Sequence, residues 1–337
     1  EEHIFYEEFG GVKPNPRLSF AREGVEKAIA FGAELILAVG GGSAIDTAKG
    51  IAIGAANPGT DIWEFWKNKK ELKTALPVGT VLTISAAGSE MSNSAVLTDE
   101  ETQDKSGIGS DLIRPKFAIM NPELTYTLPK YQLTCGIVDI FMHTIERYFT
   151  PVHGNELTDE IAEGLLRTLI RNAAKAYENQ EDYDAMSEIM WCGSISHNGI
   201  TGLGRPKDFL CHKLGHQLSA KFDEAHGATL SAVWGSWARY VYHLDEARFA
   251  NYGRKVWNID EKNDEKTAVA AIERTEEFFR SLHMPTCLGD MKMGIQPDEV
   301  LKEMAGKATA GDTVKVGAFQ KMGEKELYEI YKKANHR

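Results

Sequence analysis

The sequence predicts two domains in series, an α/β layer built on a parallel sheet and then an all-helical domain. Two observations carry this. Over residues 1–129, short apolar runs punctuated by glycine and proline alternate with helical stretches, the pattern of strands crossed by helices. Beyond residue 130 the strand signal stops and one helical periodicity follows another. The length, 337 residues, suits about two domains.

The elements follow in order. A turn at Gly10-Gly11 and Pro14-Asn15-Pro16 precedes a helical stretch over 18–31. Residues 35–39 (LILAV) are continuously apolar and predict a strand buried on both faces of a parallel sheet. A helix starts at Ala44, and 78–85 and 117–120 predict further strands. The second domain, 130–337, predicts helices over 161–177, 183–197, 208–220, 229–242 and 267–282. The charged segment 321–333 predicts a terminal helix with a solvated face.

Composition excludes several classes. Hydrophobic residues at 42% can build cores, so the chain is not disordered. Thirty-eight basic against 49 acidic residues leave a charge of −11, which disfavours a nucleic-acid or anionic-membrane partner. No apolar stretch approaches 18 residues, so no transmembrane helix is expected. The opening EEH shows no basic-then-apolar leader, so no signal peptide is expected. Cys135, Cys192, Cys211 and Cys287 show no CxxC spacing and read as reduced thiols of a cytoplasmic protein.

Three places carry chemistry. The first is Gly40-Gly41-Gly42-Ser43 with Asp46, between a strand and a helix. Glycines let backbone N–H groups approach a ligand, Ser43 fits an N-cap with Asp46 three residues on, and the helix N-terminus favours an anion. The turn is therefore either a diphosphate cradle or a tight strand–helix connection that needs glycine for space. The second is Thr83-Ile84-Ser85 running into Gly88-Ser89, a hydroxyl-rich loop after a strand. Taken alone it is a polar turn.

The third is a set of histidines and a carboxylate. Asp139 and His143 stand four residues apart in an apolar helix, so they share a buried face. Alone, they could simply pair with each other. His212 and His216 repeat the spacing, after Pro206 at an expected first helical position and Asp208 in the first turn, and His226-Gly227 follows. His197, His212, His216 and His226 fall within 30 residues. Together with a phosphate-type turn, this set favours a metal site, and imidazole with carboxylate suits Zn²⁺ or Fe²⁺. His3, His243 and His336 are expected in solvent, His153 in a loop, and His197 near a cleft.

Many segments together resemble the iron-containing (group III) alcohol dehydrogenases, in their butanol dehydrogenase and aldehyde reductase branch. They are GGVKPNP at 10–16, GGGS at 40–43 with Asp46, AGSEMS at 87–92, RPKFA at 114–118 and NPELTYTLP at 121–129. They continue with CGIVD at 135–139, His143 with TIERYF, GRPKD at 204–208, the His212, His216, His226-Gly227 set and VGAF at 316–319. The resemblance implies a Rossmann-like parallel-sheet domain followed by an all-α metal-binding domain, the dehydroquinate synthase-like fold. It implies Asp139, His143, His212 and His226 as metal ligands, with His216 facing the substrate as a proton relay. The cofactor diphosphate would take Gly40, Gly41, Gly42, Ser43 and Asp46, with Thr83, Ser85, Ser89, Ser92 and Lys105 along the cofactor.

The implied reaction is NAD(P)H-linked interconversion of short-chain primary alcohols and aldehydes, with Fe²⁺ or Zn²⁺ and with NADP(H) ahead of NAD(H), in a homodimer. The family's first β-α unit has no counterpart here, which implies an exposed sheet edge. Asn121 stands where the family commonly has Asp, and Trp191, Cys192 and His197 are departures expected to reshape the substrate pocket. A polyol dehydrogenase, a dehydroquinate synthase-like lyase and an inactive truncated form are the alternatives.

Overall fold

The computed structural model describes residues 4–337; His3 and the opening EEH lie outside the described residues. The chain forms two compact units. One comprises residues 1–83 and 89–120, the other 84–88 and 121–337. The main change of unit thus comes near residue 120, ahead of the 129/130 boundary expected from where the strand signal stops, and a five-residue excursion belongs with the helices.

In the first unit, α1 (Leu18–Phe31) precedes β1 (Ile36–Gly40) in the chain, α2 (Gly42–Ala56) follows it and packs against both, and α3 (Trp63–Trp66) comes next. A parallel three-stranded sheet runs in the order β1, β2 (Val78–Leu82), β5 (Phe117–Ile119). Ile36 pairs with Val78, and Gly79 with Phe117. Between β2 and β5 lies an antiparallel hairpin, β3 (Ser94–Asp99) with β4 (Asp104–Gly109). The apolar runs did not disclose it, because its strands are broken by serine, lysine and glycine. Leu18, Ala21, Ile53, Phe65, Trp66, Ala95 and Leu97 form the core.

The expectation that 35–39 is buried on both faces is corrected. β1 is an edge strand, with Leu37 50% and Val39 62% exposed while Ala38 alone is buried. Phe117 and Ile119 on β5 share that open face, since Leu37, Gly79 and Phe117 stand in register. The opposite face packs on α2.

A buried lysine fastens this unit. Lys49 on α2 donates to the carbonyls of Ser89 (2.7 Å), Ser92 (3.1 Å) and Ser94 (2.7 Å) and to the Ser89 hydroxyl (2.9 Å). Burial lowers its pKa to about 8, against the pull of Asp46 and Glu90. One side chain thus ties α2 to the whole loop that leads into β3.

The second unit is helical: α4 (Lys130–Tyr148), α5 (Glu156–Glu178), α6 (Tyr183–His197), α7 (Leu210–Phe222), α8 (His226–Val241), α9 (Glu246–Trp257), α10 (Asp264–Ser281), α11 (Asp298–Ala308) and α12 (Glu324–Ala334). α4 is the axis, with every residue from Leu133 to Tyr148 buried. Around its C-terminal end, Phe149 stacks on Phe249 at 4.2 Å and meets Trp237 edge-on. α12 is not simply solvated: Leu327, Ile330 and Tyr331 are fully buried, and the Tyr331 hydroxyl donates to Leu214 O at 2.8 Å. Its charges cover only the outer side.

Two glycines set how closely α4 is approached. A Cβ on Gly136 would stand 2.2 Å from Ser85 O, and one on Gly227 would stand 2.1 Å from Cys135 O. Residues 84–88 and the start of α8 can therefore lie against the α4 backbone itself.

Lys49→Met should lower unfolding stability by about 3 kcal/mol or more, because it strands Asp46 and several carbonyls without their cation; chemical denaturation measures this. Gly227→Ala should cost about 2 kcal/mol by overpacking α8 on α4. Helix propensity alone predicts the opposite, a gain of nearly 1 kcal/mol. A stabilised variant would show that the close approach is not limiting.

Candidate metal centre and glycine turn

The glycine turn enters α2 as a tight bend. Gly40 has φ +156°, in the region that favours glycine, and a Cβ there would stand 2.6 Å from the Ala44 Cβ. The N-cap is Gly41 and no side chain caps the helix, which begins at Gly42. Ser43 is therefore not the N-cap, and Asp46 forms no capping box. The glycines let the chain turn helical before Ser43, and the Asp46 carboxylate is engaged elsewhere. It accepts from the Ser89 hydroxyl at 2.5 Å and the Val96 amide at 2.8 Å, and burial raises its pKa. The first amides of α2 consequently have no side-chain cap.

The hydroxyls expected along a cofactor turn inward. Ser89 and Ser92 are buried against Lys49, and Lys105 is buried with its ammonium donating to Asn15 Oδ1 at 2.9 Å. Ser85 donates to Ile189 O at 3.1 Å, inside the second unit. The Thr83 amide donates to Gly40 O at 3.1 Å and braces the glycine turn.

The second unit gathers the histidines. Asp139 and His143 lie one turn apart on α4, His212 and His216 one turn apart on α7, and His226 is the first residue of α8. Asp139, His212 and His226 bring donor atoms within 4.8 Å of one another. From Asp139 Oδ1, the nearest nitrogens are His143 Nδ1 at 3.5 Å, His212 Nε2 at 3.7 Å and His226 Nε2 at 3.8 Å. These separations are too long for hydrogen bonds. They resemble the spacing of about 3.3–3.6 Å that bonds of about 2.0–2.2 Å to one shared ion impose on its ligands. Asp139 Oδ1, His143 Nδ1 and His212 Nε2 are buried and make no hydrogen bond. Leaving each unsatisfied costs about 1–3 kcal/mol, so the donor set fits a cation.

The electrostatics agree in part. Burial, with His197 and His212 adding to it, holds His143 well below the usual histidine pKa, which keeps it in the neutral form that ligates. His212 goes the other way: burial opposes its charge, but Glu146 and Asp139 outweigh that and push it up to about 9. A cation at Nε2 would displace that proton.

His216 stands beside the cluster, its ring 5.2 Å from His226 and 6.3 Å from His212. His197 meets His143 edge-on at 4.1 Å, with Nδ1 3.4 Å from Arg147 Nη2. Trp191 is 53% exposed and Cys192 is buried in the core, so of the three departures His197 alone reaches the histidine cluster.

Pro206 does not start a helix. Asp208 accepts from the amides of Leu210 (3.3 Å), Ala318 (2.5 Å) and Phe319 (2.7 Å), and Phe209 has φ +53°, so α7 begins only at Leu210. The Phe209 ring then packs 4.9 Å from His212 and 4.7 Å from the Arg147 guanidinium. Sequence reasoning missed Glu146, which is fully buried and faces His212 Nδ1. Its position one turn beyond His143 was the available signal.

Comparison with known proteins agrees over nearly the whole chain. Residues 1–122 match the family model described as iron-containing alcohol dehydrogenase, and 134–335 match the C-terminal model of the same family. The NADH-dependent butanol dehydrogenase A of Clostridium acetobutylicum is 38% identical over 336 residues, 99% of this chain and 85% of that protein. The NADPH-dependent aldehyde reductase YqhD of Escherichia coli is 39% identical over 285 residues, 84% of this chain and 74% of that protein. The crystal structure of the NADH-dependent butanol dehydrogenase A of Thermotoga maritima superposes with a TM-score of 0.91 at 34% identity, over 97% of this chain and 82% of that one. The chain belongs to the iron-containing alcohol dehydrogenase family and is an oxidoreductase of its alcohol and aldehyde branch.

Proposed function

We propose that this chain reduces short-chain aldehydes to primary alcohols, and runs the reverse, with Asp139, His143, His212 and His226 holding one divalent ion. The convergence of three imidazole nitrogens on Asp139 Oδ1, at 3.5–3.8 Å, carries this reading. A bound Fe²⁺ or Zn²⁺ would supply Lewis-acid polarisation of the substrate oxygen, and the nicotinamide would supply the hydride.

The remaining work falls to the chain. The uncapped amides at the start of α2, reached through Gly40, Gly41 and Gly42, bind the diphosphate, with Ser43 in the same turn. Asp46, Ser89, Ser92 and Lys105 hold that region in shape from within, because their side chains bond to protein. Thr83 braces the turn, and Ser85 fixes the 84–88 segment on α6. His216 holds the proton that the alkoxide oxygen takes.

NADP(H) is the expected nucleotide, in line with the aldehyde reductase relative, although the butanol dehydrogenase relatives are named for NADH. The active form is proposed as a cytoplasmic homodimer. No described helix is long and apolar enough to cross a membrane, and all four cysteines are free and buried. The glycerol-type, lyase and inactive alternatives draw no specific support from the site.

The test is butanal-dependent oxidation of NADPH and of NADH, on chelator-stripped protein and after adding Fe²⁺ or Zn²⁺. Metal-dependent turnover is expected, faster with NADPH; a tenfold preference for NADH would reverse the nucleotide assignment. His212→Ala should lose both metal and activity, and full metal occupancy in that variant would overturn the ligand set. His216→Ala should keep its metal and slow turnover on the order of 10²-fold. Unchanged turnover would remove it from the proton path.

A further inference from the structure

Glu146 is a buried carboxyl used by none of the steps above. It sits on α4 one turn beyond His143 and two turns beyond Asp139, with no exposed surface. Both carboxylate oxygens are engaged at the start of α7. Oε1 accepts from the Cys211 amide at 2.6 Å and the His212 amide at 3.4 Å, and Oε2 faces His212 Nδ1. Its backbone carbonyl accepts from the Asp208 amide at 2.9 Å.

A neutral imidazole has two tautomers, and nothing within His212 chooses between them. A carboxylate can only accept, so the proton opposite Glu146 must sit on Nδ1. The lone pair is then left on Nε2, the atom 3.7 Å from Asp139 Oδ1 that makes no hydrogen bond. With both oxygens committed to α7, Glu146 is not itself a ligand.

We infer that Glu146 is the positioning residue of the metal centre, acting through His212: it fixes the imidazole as the Nδ1–H tautomer with Nε2 aimed at the cation, and so sets metal affinity. This rests on the proposed metal site. α4 then supplies a ligand at 139, a ligand at 143 and, at 146, the orienting group for a ligand on another helix. Partners of this kind typically alter metal affinity 10–100-fold when removed.

The rival role is purely structural, capping the buried first amides of α7. Glu146→Gln separates the two. Its carbonyl keeps accepting from Cys211, while its NH₂ group, turned to Nδ1, favours the opposite tautomer. The measurements are Zn²⁺ affinity by chelator competition, thermal unfolding of the metal-free protein, and the ¹⁵N signature of the His212 ring in metal-free protein, read above its pKa of about 9, where the ring carries a single proton. The expected result for Glu146→Gln is a 10–100-fold weaker Zn²⁺ complex, little change in the metal-free melting temperature, and a shift of the ring from Nδ1–H to Nε2–H. Glu146→Ala should lose affinity and stability together.

Equal Zn²⁺ affinity in wild type and Glu146→Gln would overturn the inference and leave the metal site standing. Failure of the wild type to bind Zn²⁺ or Fe²⁺ at all would overturn the site reading itself. If Glu146→Gln does not fold, the wild-type ring signature decides, and an Nε2–H form would overturn the inference.

Discussion

The constraint on which the second unit depends is charge buried in α4. Asp139, His143, Glu146 and Arg147 occupy two turns of a helix whose every residue from Leu133 onward is out of solvent. Ionised groups in such surroundings need partners. Glu146 finds them in the amides and imidazole of α7, and Arg147 in the His143 carbonyl at 2.7 Å and the face of Phe209. Asp139 Oδ1 finds three imidazoles at a distance and no hydrogen bond. The packing of α7 and α8 around α4, made close by Gly227, brings those imidazoles together, so the helical core and the site are one piece of construction.

The first unit solves a similar problem with an internal cation. Lys49 takes the role there that a ligand would otherwise fill, collecting the carbonyls and hydroxyls of 89–94 beside Asp46. The polar residues of this region bond to one another around the glycine turn, and under the proposed reading the turn meets the cofactor diphosphate with backbone amides alone. Backbone recognition of this type tolerates much variation in side chains, which suits a fold shared at 34–39% identity.

Much of this was legible in the sequence. Strand–glycine–helix at 35–46 and the run of helices after 130 follow from periodicity, and α6 matches the expected 183–197. The four-residue spacing of Asp139 and His143 gave their shared face. What was not legible depends on tertiary partners. The apolar run at 35–39 carries no mark of being an edge strand. Ser43 and Asp46 satisfy a capping pattern locally, yet Asp46 is claimed by Ser89 and Val96 from distant sequence. Glu146 follows His143 by one turn on the buried side of α4, but the group it faces shows only once α7 is laid beside it, and α7 starts later than the sequence predicts because Asp208 bonds to a loop 110 residues away.

The left-handed Phe209 has a consequence for how the centre tolerates change. A non-glycine residue at this φ costs on the order of 1 kcal/mol, and a large aromatic one is rarely kept there without need. Glycine would relax the backbone but remove the ring that roofs Arg147 and leans on His143 and His212. The backbone and the side chain at this position therefore have opposing optima, and the folded chain settles in favour of the ring. Relatives free to drift at this position would be expected to trade one bulky aromatic for another rather than for the residue its backbone prefers.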